Sequence, residues 1–151
     1  MKKIIVGIIL AAVTWAQSSY AGQSIKMENG TVRAPIPGMA NTAGYMELTN
    51  LSKTDLVLTK AKSDFADKVE YHNHIMNDGV MKMVKLDKLV IPAGETITFQ
   101  SGGLHLMFIG LTKQKPLPGK VTVTLISESG QTLPVELDVK SIKAQHHHHH
   151  H

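Results

Sequence analysis

Apolar and polar residues alternate with a period of two along much of this chain. In "KVTVTLIS" (120–127), Val121, Val123 and Leu125 fall on one side and the threonines on the other. "LPVELDV" (133–139) sets Leu133, Val135, Leu137 and Val139 against Pro134, Glu136 and Asp138, and "DLVLTKAK" (55–62) and "TITF" (96–99) follow the same rule. Such a period places successive side chains on opposite faces of a half-buried strand. Turn-forming clusters ("PIPG", "TNLSKTD", "NDG", "IPAGE", "SGG", "PLPG", "ESGQ") separate these runs. Short strands punctuated at roughly eight- to twelve-residue intervals predict an all-β fold, an antiparallel β-sandwich or small barrel. No segment carries a helical stripe. Pro134 has no N–H to give to a ladder, so its strand is expected at an edge or with a bulge there.

The two ends of the chain read differently. "MKKIIVGIILAAVTWAQSSYAGQS" begins with Lys2 and Lys3, continues as an apolar run from Ile4 to about Ala16, and reaches small residues at Ser19 and Ala21. This is the pattern of a cleaved secretory signal over residues 1–21, with Gly22 as the mature N-terminus. The apolar run is shorter than the ~20 residues needed to span a bilayer. No cysteine follows it, which argues against a lipid anchor. The histidines at 146–151 are an expression tag. Residues 22–145 are expected to form one domain, exported to a periplasm and monomeric, with no membrane insertion once the signal is removed.

Composition then narrows the chemistry. There is no cysteine, so the exported domain cannot rely on disulfides and must bury its own core. Apart from Lys2 and Lys3, 14 basic residues face 12 acidic ones, a net charge near +2. Arg33 is the single arginine and no basic stripe exists, so a nucleic-acid partner is not expected.

Six of the nine histidines belong to the tag, leaving His72, His74 and His105. "YHNHIMNDGVMKM" (71–83) holds two of them with three of the eight methionines, and "HLM" (105–107) holds the third beside another. If 70–76 is a strand, His72, His74 and Met76 share a face. "NDG" (77–79) predicts a tight turn, after which Met81 and Met83 share a face of the returning strand. His105 and Met107 share a face with Ile109. Thioethers are soft and uncharged, poor for magnesium, calcium or zinc but well matched to Cu(I), as is neutral imidazole. A blue-copper electron-transfer site would require a cysteine between its histidines, so holding or carrying the ion is favoured over redox cycling. A methionine in a strand is more often core filler than ligand, and Met27, Met39 and Met46 read that way. For the His/Met cluster, ligand set and packing remain open on these grounds alone.

His72, ten residues, Met83, twenty-one residues, then His105-x-Met107 resembles the motif of the PCuAC family of periplasmic copper chaperones. "GYMELTN" (44–50), "DGVMKM" (78–83), "IPAGETI" (91–97) and "GGLHLMFIGL" (102–111) are similar to the family as well. The resemblance covers nearly the whole mature domain. It implies a cupredoxin-like β-sandwich with His72, Met83, His105 and Met107 as the metal ligands, binding Cu(I) at an exposed site and Cu(II) at most weakly. It further implies copper delivery towards the CuA centre of cytochrome c oxidase, with a Sco-type copper protein or the CuA domain of subunit II as partner. Some relatives have a C-terminal tail rich in histidine and methionine; "LDVKSIKAQ" contains neither, so a tail-borne Cu(II) site is in doubt. His74, Met76 and Met81 are candidate accessory ligands. His74 could be a fifth or exchanging ligand but is read as a solvated rim residue. The two methionines could form a secondary capture surface, packing around the site being the favoured reading.

An enzyme is not expected. A histidine brace needs histidine at the mature N-terminus, where Gly22 stands, and a copper–zinc dismutase site needs more than three histidines. No serine or cysteine occupies a nucleophile motif. Sequestration of copper for resistance, without dedicated delivery, is the alternative function that the same residues would serve.

Overall fold

The computed structural model describes residues 24–111 and 118–141; the expected signal (1–21) and the tag (146–151) lie outside these. Ten strands make up the fold, and no helix occurs among the described residues. They are β1 (Ile25–Arg33), β2 (Asn41–Asn50), β3 (Leu56–Lys62), β4 (Ala66–Asn77), β5 (Val80–Leu86), β6 (Leu89–Ile91), β7 (Thr96–Phe99), β8 (His105–Leu111), β9 (Lys120–Ser127) and β10 (Thr132–Lys140). The runs at 120–127 and 96–99 coincide with β9 and β7.

Hydrogen-bonded neighbours run β5-β4-β8-β2-β1-β10-β9-β3-β6, and β7 joins β2. A pairing of β3 with β4 at Ala61 and Val69 closes the sheet on itself, so the sandwich is also a small barrel. One pair departs from the antiparallel expectation: β1 runs parallel to β10 through Thr31–Arg33 and Asp138–Lys140. Because β1 meets β10 only there, Pro134 faces β9 on one side and has no strand on the other. Its edge character is therefore local, within a strand that is central by topology.

Inside the barrel, alternate residues from every wall interdigitate, with Val32, Met46, Leu48, Leu58, Leu106, Phe108, Val123, Leu125 and Leu137 among those buried. Met46 meets its core expectation and Met27 packs partly against the core, but Met39 lies exposed in the loop between β1 and β2. Gly44 sits where a Cβ would come 2.8 Å from the Phe108 ring, so its lack of a side chain lets β2 and β8 close over that ring. Tyr71 on β4 is buried and donates its hydroxyl to the Lys60 carbonyl at 2.9 Å; burial pushes its phenol well above the usual range. The first contact ties β2 to β8 and the second β4 to β3, while the antiparallel ladder from Ala66–Leu111 to His72–His105 sets β4 and β8 side by side.

Asn50, fully buried at the end of β2, ties the neighbouring loop together. Its amide donates to the carbonyls of Thr54 (2.8 Å) and Ile91 (2.9 Å), and its oxygen accepts from the Ser52 N–H (3.0 Å) and hydroxyl (2.7 Å). Asn50→Ala strands these partners and is expected to cost about 3 kcal/mol, since buried groups left unpaired lose their full desolvation penalty. Urea unfolding should show the midpoint falling with an unchanged slope; an unchanged midpoint would refute this role.

Candidate metal centre

The walls formed by β5, β4 and β8 carry the cluster. Val69, Tyr71, Leu106 and Phe108 point into the barrel, so the alternate residues point out. On β4 these are Glu70, His72, His74 and Met76. Across the ladder, Lys85 faces His72, Met83 faces His74, and Met81 faces Met76. On the other flank, His105 faces His72 and Met107 faces Glu70. All four expected ligands and all three accessory candidates thus share one face.

Two turns hold this register. Asp78 and Gly79 both take positive φ (50° and 76°), the pattern of a two-residue hairpin of the primed type, so Asn77 pairs Val80 and every later pair follows. Before β8, Gly102 at φ 77° turns the chain so that Gln100 N–H reaches the Leu104 carbonyl at 2.7 Å. That turn delivers His105 into the wall.

The histidines converge. Ring centroids of His72 and His105 are 5.9 Å apart, and His74 stacks on His105 at 5.3 Å and 28°. His105, 4% exposed, donates Nδ1–H to the Gly103 carbonyl at 2.9 Å, which leaves Nε2 as its free lone pair. Burial holds its pKa below the usual histidine range, against the pull of that carbonyl, so the imidazole is neutral and ready to ligate at neutral pH. His72 makes the opposite choice. Its Nε2–H donates to Glu70 at 2.8 Å, and its Nδ1 is buried without a partner. The Nδ1 of His74 is also buried and unpartnered, in a side chain that is half-buried as a whole. A buried polar atom without a partner asks for an explanation, and a metal ion would supply one.

The methionines are less gathered. Met107 lies one alternation from His105, whereas Met83 lies beside His74, so the two approach His72 from opposite diagonals, each ~7–8 Å away by strand geometry but within reach of a long flexible side chain. Met76 and Met81 are more than half exposed, which corrects the expectation that they pack around the site. The reason is topological: β8 flanks β4 only as far as His72, so the β4–β5 hairpin projects beyond the barrel wall. Among the described residues, no group of three or more histidine and carboxylate side chains is arranged to hold a metal by itself.

Sequence reasoning passed over Glu70 and Lys85. The Glu70 carboxyl is held below its usual range, chiefly by the hydrogen bond from His72 and further by Lys85 at 3.2 Å, while burial pulls the other way. A carboxylate on the far nitrogen fixes the tautomer and orientation of a ligating imidazole. The available signal was Glu70's place two residues before His72 on the same face. Glu70→Gln should weaken metal binding about tenfold, as read by competition with a chelator; an unchanged affinity would show that Glu70 does not position His72.

Residues 25–139 match the LpqE-like family, described as "Putative lipoprotein LpqE-like". The chain belongs to the LpqE-like family. A relative in Leifsonia xyli subsp. xyli (strain CTCB07), Lxx21020, bears the same lipoprotein description and is 29% identical over 117 residues, 77% of this chain and 69% of the relative. The solution structure of CuI-DR1885 from Deinococcus radiodurans is 33% identical, covers 82% of this chain and 83% of its own, and superposes with a TM-score of 0.59. The copper-bound PCuAC domain from PmoF2 is 24% identical, covers 81% of this chain and 97% of its own, and gives a TM-score of 0.65, a likeness of fold. The PCuAC assignment read from the sequence stands, and this LpqE-like domain has the all-β architecture of those cupredoxin-like neighbours.

Proposed function

We propose that this LpqE-like domain is an exported Cu(I) metallochaperone, a carrier and not a catalyst, holding its ion with His72, His105, Met107 and Met83. One observation carries the reading: His72 and His105 face each other with one free nitrogen each, the one on His72 buried and orphaned, on a face that also carries His74 and the thioethers of Met83 and Met107. Two imidazoles plus soft neutral sulfur favour Cu(I) over harder ions. The CuI-DR1885 structure, of a 33% identical protein, supports copper as the cargo. Export is supported by the leader pattern and by the lipoprotein description of the relatives.

Delivery is favoured over sequestration by the exposure of Met83, 48% open to solvent, because a ligand at the surface can be exchanged for an incoming thiolate. The PCuAC resemblance adds the acceptor, a Sco-type protein or the CuA domain of cytochrome c oxidase. The test is a titration of mature, tag-free protein with Cu(I) against a chromophoric Cu(I) chelator. Capture of one equivalent, followed by transfer to an apo Sco-type protein or CuA domain, is the expected result. Failure to compete would overturn the carrier reading, and capture without transfer would favour sequestration.

A further inference from the structure

The donors on the site-bearing face do not stop at the four ligands. Beyond the row of His74 and Met83 comes Met76 directly opposite Met81, at the tip of the β4–β5 hairpin. Exposure grades along this track: Met76 64%, Met81 54% and Met83 48%, then the half-buried His74, and His105 at 4%. Met76 and Met81 form one cross-strand pair and His74 and Met83 the next pair on the same face, two residues along the ladder. Donors directly opposite one another have Cβ atoms ~4.5–5.5 Å apart.

Ordinary surface hydrophobicity does not account for this arrangement. The opposite face of the same hairpin tip carries Ile75 and Val80, both exposed, with Lys82 and Asn77 across from them. Sulfur is thus confined to the face that bears the histidines and branched aliphatic carbon to the other. A docking patch that only needed apolar area would have no cause to sort them. The turn at Asp78–Gly79 sets this sorting, because a register slip of one residue would send Met81 and Met83 to the other face.

We infer that Met76 and Met81, with Met83 shared, form an outer Cu(I) station through which the ion reaches and leaves the inner centre. The inference rests on the carrier reading above. Cu(I) arriving at the tip is taken by the thioethers of Met76 and Met81. It gains Met83, passes His74, and sheds the outer sulfurs as His72, His105 and Met107 close on it. Only neutral donors exchange, so no proton or electron has to move. The unpartnered Nδ1 of His74, in a ring stacked on His105, offers the step between the two rows.

The experiment uses mature, tag-free protein loaded with one equivalent of Cu(I) and mixed rapidly with excess chromophoric chelator. Met76→Leu/Met81→Leu keeps the volume at two exposed positions and removes only the sulfurs. The expected result is an off-loading rate slower by on the order of tenfold, with the equilibrium affinity for the first Cu(I) unchanged. An unchanged rate would overturn the station. So would a fall in equilibrium affinity, which would place the two methionines in the principal site. Ile75→Ala, on the opposite face, should leave the rate as it is, and equal slowing there would assign the effect to apolar area and not to sulfur. Wild-type protein that captures no Cu(I) at all would instead remove the carrier reading, an outcome distinct from these.

Discussion

Replacing Met83 and Met107 together by isoleucine is expected to lower Cu(I) affinity by about a thousandfold, roughly 4 kcal/mol at 1.4 kcal/mol per decade. The loss follows from the donor count. With both sulfurs gone the face keeps His72, His105 and His74, and these are not arranged as a metal-holding group on their own. Isoleucine suits a strand at either position, and neither methionine belongs to the buried core. The apo variant should therefore unfold within about 1 kcal/mol of wild type, as expected for surface substitutions. Competition with a chromophoric Cu(I) chelator measures the effect on tag-free protein, since the tag's own imidazoles would mask it. An affinity that survives the double substitution would mean that nitrogen alone holds the ion, and the thioethers would then be surface residues of another purpose.

Alternation told which face each side chain takes, and the strands followed it closely. What alternation does not contain is the length of the neighbouring strand. Met76 and Met81 were placed on the right face, yet packing was expected of them because nothing local shows that β8 flanks β4 no further than His72. The same limit applies to His74. Its face was legible, but its burial depends on His105, which arrives from a strand thirty-one residues further along the chain. Met39 was read as core on residue type, whereas its loop between β1 and β2 leaves it in solvent.

Glu70 shows a related limit. A carboxylate two residues before His72 is visible in "VEYH", but its hydrogen bond to that histidine and its contact with Lys85, brought opposite His72 by the hairpin register, are not. The parallel β1–β10 pair and the β3–β4 closure are long-range choices that no periodicity records. They decide that the sheet closes, and the end of the β4–β8 ladder at His72 leaves the hairpin to project. Under the proposed carrier function, the closed barrel would give His72 and His105 a rigid wall, and the unflanked hairpin would give the thioethers room to exchange.

Loading with Cu(I) should raise the thermal midpoint of the mature domain by about 15 °C or more. A ligand that binds only the native state stabilises it by about 4 kcal/mol when present at roughly a thousand times its dissociation constant, and for a domain near 100 residues each kcal/mol moves the midpoint by about 4–8 °C. The ion would cross-link β4, β5 and β8, and β5 gains most because it pairs with β4 alone. Hydrogen exchange should accordingly slow first in Val80–Leu86, an edge strand that opens easily without the metal. Ag(I), soft and redox-inert, should reproduce the shift, whereas Mg(II) and Zn(II) should give little on tag-free protein, because thioethers serve them poorly. Under a reductant the Cu(I) shift should persist, and in Met83→Ile/Met107→Ile it should collapse. A midpoint indifferent to Cu(I) and Ag(I) would make the cluster a packing feature of the barrel wall, while a Zn(II) shift as large as that of Cu(I) would show that the imidazoles, and not the sulfurs, select the ion.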